Sequence, residues 1–271
     1  GGRNFREPAL RVTHADGDMN TELRYVSHTT RTLADTNVTR TVIKLTDTNQ
    51  ALDVELFYTA YAKENVITTH AVIRNREKGS IVLHSFYSSS LPVKARSYLL
   101  THLYGAWARE SQVDHTLLTH GSKSIESRKQ VRTTHTENPA FMITLDSESF
   151  DENYGEVIAG ALAWSGNFRL NFEVDEFNVL NILAGQSLCV GLHARRGRVV
   201  YHARDDLYLQ LRRRGRREPP PARLGAQLRR MARAYLRPDA AQQLGGRLFH
   251  VRCQDAHGDD RRCRRHGAGN V

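Results

Sequence analysis

Long apolar runs are missing from this sequence. The longest uncharged apolar stretch, Val157 to Trp164, falls far short of the roughly 20 residues that a helix needs to cross a bilayer, so no transmembrane helix and no membrane partner are expected. Cysteine is nearly absent: Cys189, Cys253 and Cys263 are the only three and all come late, which provides no disulfide framework. The opening residues, Gly1-Gly2-Arg3-Asn4-Phe5, offer neither an apolar core nor an initiating Met. They do not read as a signal peptide, and the true N-terminus is expected to be missing. Residues 187–271 contain no Lys, Ile, Thr or Trp, although residues 1–186 are rich in Thr and Ile.

The chain has 271 residues, 39% of them hydrophobic and 25% charged, the balance of a soluble globular protein with room for one large domain or two modest ones. Its net charge of +10 divides unevenly, as −3 over residues 1–186 (19 Lys+Arg, 22 Asp+Glu) and +13 over residues 187–271 (20 Arg, 7 Asp+Glu). Two compositions are joined end to end, and a boundary between residues 186 and 187 is expected.

The first part reads as strands. Leu52, Val54, Leu56 and Tyr58 alternate with Asp53 and Glu55, and Phe168, Leu170, Phe172 and Val174 alternate with Arg169, Asn171 and Glu173. Period two is the mark of a half-buried strand. Further strands are predicted at Leu23–Ser27, Arg40–Leu45, Val66–Ile73, Ile81–Tyr87, Phe141–Leu145 and Val179–Leu183, with turns at Asp16-Gly17-Asp18, Lys78-Gly79 and Ser165-Gly166-Asn167. No helical periodicity appears before residue 187, so crossover helices are lacking and the strands must pair antiparallel. Short strands that are apolar on one side need a second sheet to cover them. The predicted fold class is all-β, a large antiparallel β-sandwich over residues 1–186, followed by a basic tail over 187–271 that is irregular or partly helical.

Chemistry-bearing residues are sparse. Asp151-Glu152, Asp175-Glu176 and Glu156 are candidate acid–base carboxylates, but neighbours on a strand point to opposite faces, and solvated turn or edge positions are the expected reading. His28, His70, His84, His102, His115, His120 and His135 lack a tight metal-ligand spacing, so cross-strand Thr/His pairing is expected instead. Trp107 and Trp164 have the rings to stack on a sugar, although core packing is the commoner use of tryptophan. No catalytic residue, metal site or cofactor is assigned, and no substrate-binding residue is placed.

Several strings carry a family resemblance: Glu7-Pro8-Ala9-Leu10-Arg11-Val12-Thr13-His14-Ala15-Asp16-Gly17, Leu23-Arg24-Tyr25-Val26, Leu103-Tyr104-Gly105-Ala106-Trp107-Ala108-Arg109-Glu110, Glu152-Asn153-Tyr154-Gly155-Glu156, and Gly160-Ala161-Leu162-Ala163-Trp164-Ser165-Gly166-Asn167-Phe168. Together they resemble the N-terminal domain of family 36 glycoside hydrolases, the bacterial-type α-galactosidases, over nearly all of residues 5–186. The resemblance implies an antiparallel β-sandwich of the supersandwich kind ahead of a catalytic barrel. It also implies a retaining hydrolase that removes terminal α-linked galactose from oligosaccharides such as melibiose and raffinose. The two aspartates of that reaction lie in the barrel, and no position here matches their motifs, so this chain is not expected to catalyse. The resemblance further implies galactoside oligosaccharides as partners of the full-length enzyme, a homo-oligomer that this domain helps to build, and a bacterial cytoplasmic location.

The tail resembles a shifted reading frame. Joining the second and third codon bases of each residue to the first base of the next permits T-T-P-E-M-I-Y-T-Y-S from Tyr201 to Gln210, a family-like continuation, and similar strings from Ala241 to Phe249 and from Asp259 to Val271. A one-base shift near Gly185–Ser187 accounts for the absent Lys, Ile and Thr, because off-frame GC-rich DNA encodes mainly Arg, Ala, Gly and Pro. The alternatives weighed are phosphate neutralisation by Arg212-Arg213-Arg214-Gly215-Arg216-Arg217, zinc held by Cys253, His257, Cys263 and His266, and a helix over Leu224–Leu236. The expected reading has no nucleic-acid partner. The alternative for the sandwich itself is a free-standing carbohydrate-binding or oligomerisation module.

Overall fold

The computed structural model describes residues 6–33, 37–129, 136–147, 156–164, 166–187, 192–197, 199–201 and 207–212, all within one compact unit. Every regular element among them is a strand, and every pairing is antiparallel. No helix among the described residues is long and apolar enough to cross a membrane.

One sheet has ten strands. In spatial order it runs β2 (Leu23–Thr32), β3 (Val38–Asp47), β4 (Leu52–Tyr61), β5 (Val66–Asn75), β17 (Leu207–Arg212), β12 (Glu156–Leu162), β11 (Glu137–Leu145), β8 (Tyr98–Ala106) and β9 (Arg109–Leu117), with β16 (Val199–Tyr201) also pairing with β5. A four-stranded sheet runs β10 (Gly121–Ser127), β13 (Phe168–Val174), β14 (Val179–Gln186) and β7 (Ser89–Lys94), and a three-stranded one runs β1 (Leu10–Thr13), β6 (Ile81–Phe86) and β15 (Leu192–Ala194).

The two smaller sheets cover one face of the large one, each through its own core. Phe168, Leu170 and Phe172 of β13 and Leu180 and Ile182 of β14 meet Leu100 of β8 and Phe141 and Ile143 of β11, all fully or almost fully buried. Phe141 and Phe172 touch edge to face with centroids 5.1 Å apart, the arrangement that aromatic quadrupoles favour. In the second core, Val12, Ile81, Leu83 and Ala194 of the three-stranded sheet pack on Leu52, Val54 and Ile73. Burying each of these Val, Leu, Ile and Phe side chains stabilises the fold by about 1.5–3 kcal/mol. Tyr98, itself fully buried, ties the layers together: its hydroxyl donates toward the carbonyls of Val93 and Asn178, 2.9 Å from each, and accepts from the Ala95 amide.

The sandwich predicted from alternation is therefore present, and every predicted strand falls within or closely overlaps one of these elements. Strands β1, β7, β8, β9, β10 and β12 were not predicted. In β9 the edge position explains the silence, because no second neighbour or covering layer enforces apolar alternation. In β12 the run Val157-Ile158-Ala159-Gly160-Ala161-Leu162 is apolar throughout and has no period to read. A larger correction concerns the tail. Paired strands continue beyond Gln186 as β15, β16 and β17, so irregular structure does not begin at residue 187. The physical reason is in the sequence itself, since Leu207, Leu209 and Leu211 alternate with Tyr208, Gln210 and Arg212, and β17 fills the gap between β5 and β12 where ladder groups of both strands need partners. The segment Leu224–Leu236 lies outside the described residues, as do Arg213–Arg217 and the cysteine and histidine positions of residues 253–266.

Candidate functional site

Of the candidate carboxylates, Asp151 and Glu152 lie outside the described residues. Asp175 is engaged in shaping the β13–β14 turn: its carboxylate accepts the amides of Phe177 at 3.0 Å and Val179 at 2.7 Å and the Nε of Arg6 at 2.9 Å. Desolvation opposes its ionisation, but these donors outweigh it and hold the carboxyl below the usual range. Glu173, two residues earlier on β13, accepts the backbone amide of Glu7. Glu7 in turn takes Arg169, Asn171 and the hydroxyl of Tyr87, whose ionisation is suppressed by burial and by that same carboxylate. Asp175, Glu173 and Glu176 border a shallow depression of about 480 Å³ with His120 and Ser122. Two of those three carboxylates are committed to backbone amides, so the depression does not pair a free acid with a free base. Glu156 stands exposed at the start of β12, opposite Leu145 of β11.

The expected Thr/His pairing holds across two strand pairs. His84 meets the Thr13 hydroxyl at 2.7 Å, and His115 meets that of Thr101 at 2.9 Å. Elsewhere His28 bonds the Tyr25 hydroxyl and His70 stacks on Phe57 at 4.5 Å. His14, buried, sits between Glu77 at 2.7 Å and Thr21 at 3.1 Å and fastens the loop after β1 to the β5–β6 turn. His135 lies outside the described residues. Among the described residues no group of three His, Cys, Asp or Glu side chains is placed to hold a metal ion.

His102 behaves differently. Its side chain is 8% exposed, its Nδ1 has no hydrogen-bond partner, and the nearest carboxylate oxygen, on Asp114, is 3.7 Å away. Burial pushes its pKa down, against the pull of Asp114. Glu137 stands close by on β11, its carboxyl held above the usual range by desolvation despite Lys129 and Lys123. Asp114, Glu137 and Lys123 were not singled out in the sequence. Only strand register brings positions this far apart together, so no local motif marked them.

The two tryptophans part company. Trp164 packs against the larger core and donates its indole N–H to the Asn167 carbonyl at 3.0 Å, as expected. Trp107, expected in the core, is 82% exposed at the tip of the β8–β9 hairpin. That tip holds Ala108 and Ser111 at φ of 62° and 60°, a region costly for residues with a Cβ. Gly105 fits closely there, since a Cβ on it would stand 3.0 Å from the Glu110 backbone and press on it. Trp107 is thus displayed to solvent on a strained hairpin instead of packing in the core.

Comparison with known proteins gives a consistent result. The glycosyl hydrolase family 36 N-terminal domain matches residues 1–189. α-Galactosidase AgaA of Geobacillus stearothermophilus is 33% identical over 198 residues, covering 68% of this chain and 27% of AgaA. α-Galactosidase Mel36A of Lactobacillus acidophilus is 26% identical over 198 residues, again 68% of this chain and 27% of the relative. The crystal structure of AgaA superposes with a TM-score of 0.71 at 28% identity over 78% of this chain and 31% of that one, and the α-galactosidase of Lactobacillus brevis with 0.70 at 27% identity over 78% and 30%. This chain thus spans roughly a quarter of the length of these two curated relatives.

Proposed function

Because the chain belongs to the glycosyl hydrolase family 36 N-terminal domain family, we propose that it serves as the β-sandwich domain of an α-galactosidase that releases terminal α-linked galactose from oligosaccharides with retention of configuration. The family match over residues 1–189 is the observation that carries this reading. Retaining hydrolysis needs a nucleophilic carboxylate and an acid about 5 Å apart across the bond. The carboxylates of the β13–β14 region are occupied by amides and arginines, which supports placing the reactive pair outside this domain. The domain's own part is to build the oligomer and to present the β8–β9 hairpin to its surroundings, in a bacterial cytoplasmic enzyme.

Residues 187–271 are read in the same proposal as off-frame translation beginning near Gly185–Ser187. The composition changes there and the family match stops at residue 189, while the paired strands β15, β16 and β17 weigh against a structureless tail. Sequencing the DNA across codons 180–195 decides the frame. A second reading, a free-standing carbohydrate-binding or oligomerisation module, is favoured by the exposure of Trp107.

The main proposal is tested by replacing the matching domain of Geobacillus stearothermophilus AgaA with residues 1–189 of this chain. Retained hydrolysis of an aryl α-galactoside by the folded chimera is expected. A folded but inactive chimera contradicts the assignment.

A further inference from the structure

The end of the sandwich beside the β8–β9 hairpin gathers polar groups from four strands. Directly opposed strand residues share a face. Gln112, Tyr104 and Glu137 therefore form one row across β9, β8 and β11, and Asp114, His102 and Phe141 form the next. Phe141 meets Phe172 between the layers, so its row with His102 and Asp114 faces inward, and Tyr104, two residues from His102 on β8, lies on the same side with Glu137 and Gln112 opposite it. On the facing sheet, Lys123 is the cross-strand partner of Phe172 and points into the same space.

The chemistry of this mouth is specific. Acceptors come from Glu137 and from Asp114, whose Oδ2 also takes the Thr116 hydroxyl at 3.3 Å, a cationic donor from Lys123, and an amide from Gln112, which also reaches the Glu110 carbonyl at 3.3 Å. Tyr104, 47% exposed, supplies an aromatic face. The Nδ1 of His102 is buried and unpartnered, and a buried polar atom is normally paired. Opposite charges at the rim disfavour an ion of either sign. Hydroxyl groups both donate and accept, and a pyranose combines them with an apolar face that suits an aromatic ring.

We propose that this mouth is a non-catalytic sugar-binding site, with a pyranose ring laid against Tyr104, one of its hydroxyls paired with His102 Nδ1, and others held by Glu137, Asp114, Lys123 and Gln112. The preferred sugar is an α-galactoside. That preference rests on the function proposed above, whereas the site itself does not.

Methyl α-galactopyranoside and methyl α-glucopyranoside, each titrated into the full chain by NMR, test it. The expected result is saturable binding of the galactoside with a Kd on the order of 1 mM. Tyr104→Ala and Glu137→Gln, both at positions that are not fully buried, should each weaken it by about tenfold while leaving the thermal melt in place. No saturable binding up to about 100 mM, or binding that neither substitution changes, overturns the site. Equal affinity for the two glycosides keeps the site and overturns its assignment to galactosides, independently of how the AgaA chimera behaves.

Discussion

The β13–β14 and β8–β9 hairpins share one antiparallel ladder geometry and differ in what they leave unfinished. In the first, alternate residues vanish into the core and the turn satisfies itself. Asp175 takes two turn amides, and Asn178, at φ 55°, gives its side-chain amide to the Ala95 and Arg96 carbonyls. In the second, the tip is strained without glycine at Ala108 and Ser111, Trp107, Val113 and Leu117 are exposed, and His102 near its base has an unpaired nitrogen. Carboxylates that saturate their own turn are architecture, however catalytic they look in the sequence.

Phe172→Ala, in the finished hairpin, should cost about 3–5 kcal/mol of unfolding free energy in urea, against about 0.5 kcal/mol or less for Val113→Ala in the other. Comparable losses at the two sites would erase the distinction. Gly160→Ala comes next. A Cβ there would stand 2.4 Å from the ring of its cross-strand partner Phe141, so overpacking should cost about 1–3 kcal/mol and lower the Tm, and an unchanged Tm would show that the ring moves aside freely.

Asp175 and Asp47 contribute to the pH dependence, alongside Asp16 and Glu126, whose carboxyls are likewise held below the ordinary range. The Asp47 carboxylate accepts the amides of Asn49, Gln50 and Glu22, which outweigh the desolvation opposing its ionisation, and both groups are held below the ordinary carboxylate range. A depressed folded-state pKa contributes stability that is complete above the unfolded value, about 3.9 for Asp, and is lost as pH falls through the folded value. The urea midpoint should therefore drop below about pH 4, and the Asp47→Asn/Asp175→Asn double variant should flatten that drop. The smallest expected effect is that of Trp107→Ala, within about 0.5 kcal/mol on stability. If the hairpin builds the oligomer, the change appears in sedimentation instead, as a shift toward smaller species.

Strands whose two faces differ in chemistry were legible in the sequence: one side of β4 and of β13 meets the apolar core, while the other carries polar groups such as Asn171, which is buried but hydrogen-bonded to Ser122, Ser124 and Glu7. Largely exposed β9, and β12 with its apolar run Val157–Leu162, were silent for the converse reason. The leucine alternation of β17 was present but hidden among arginines. Trp107 carries no local signal of exposure, since only the hairpin's position at a sheet edge decides it. The mouth around His102 was illegible because it joins β8, β9, β10 and β11, and no spacing along the chain encodes a register.

The central claim is that the ordered strands support galactoside hydrolysis without performing it. Incubating the 271-residue chain in large excess over an aryl α-galactoside and following phenolate release tests that claim most directly. No release above the buffer rate is predicted at any pH at which the strands stay folded. Turnover that co-purifies with the chain and disappears on Glu156→Gln or Glu176→Gln would contradict it.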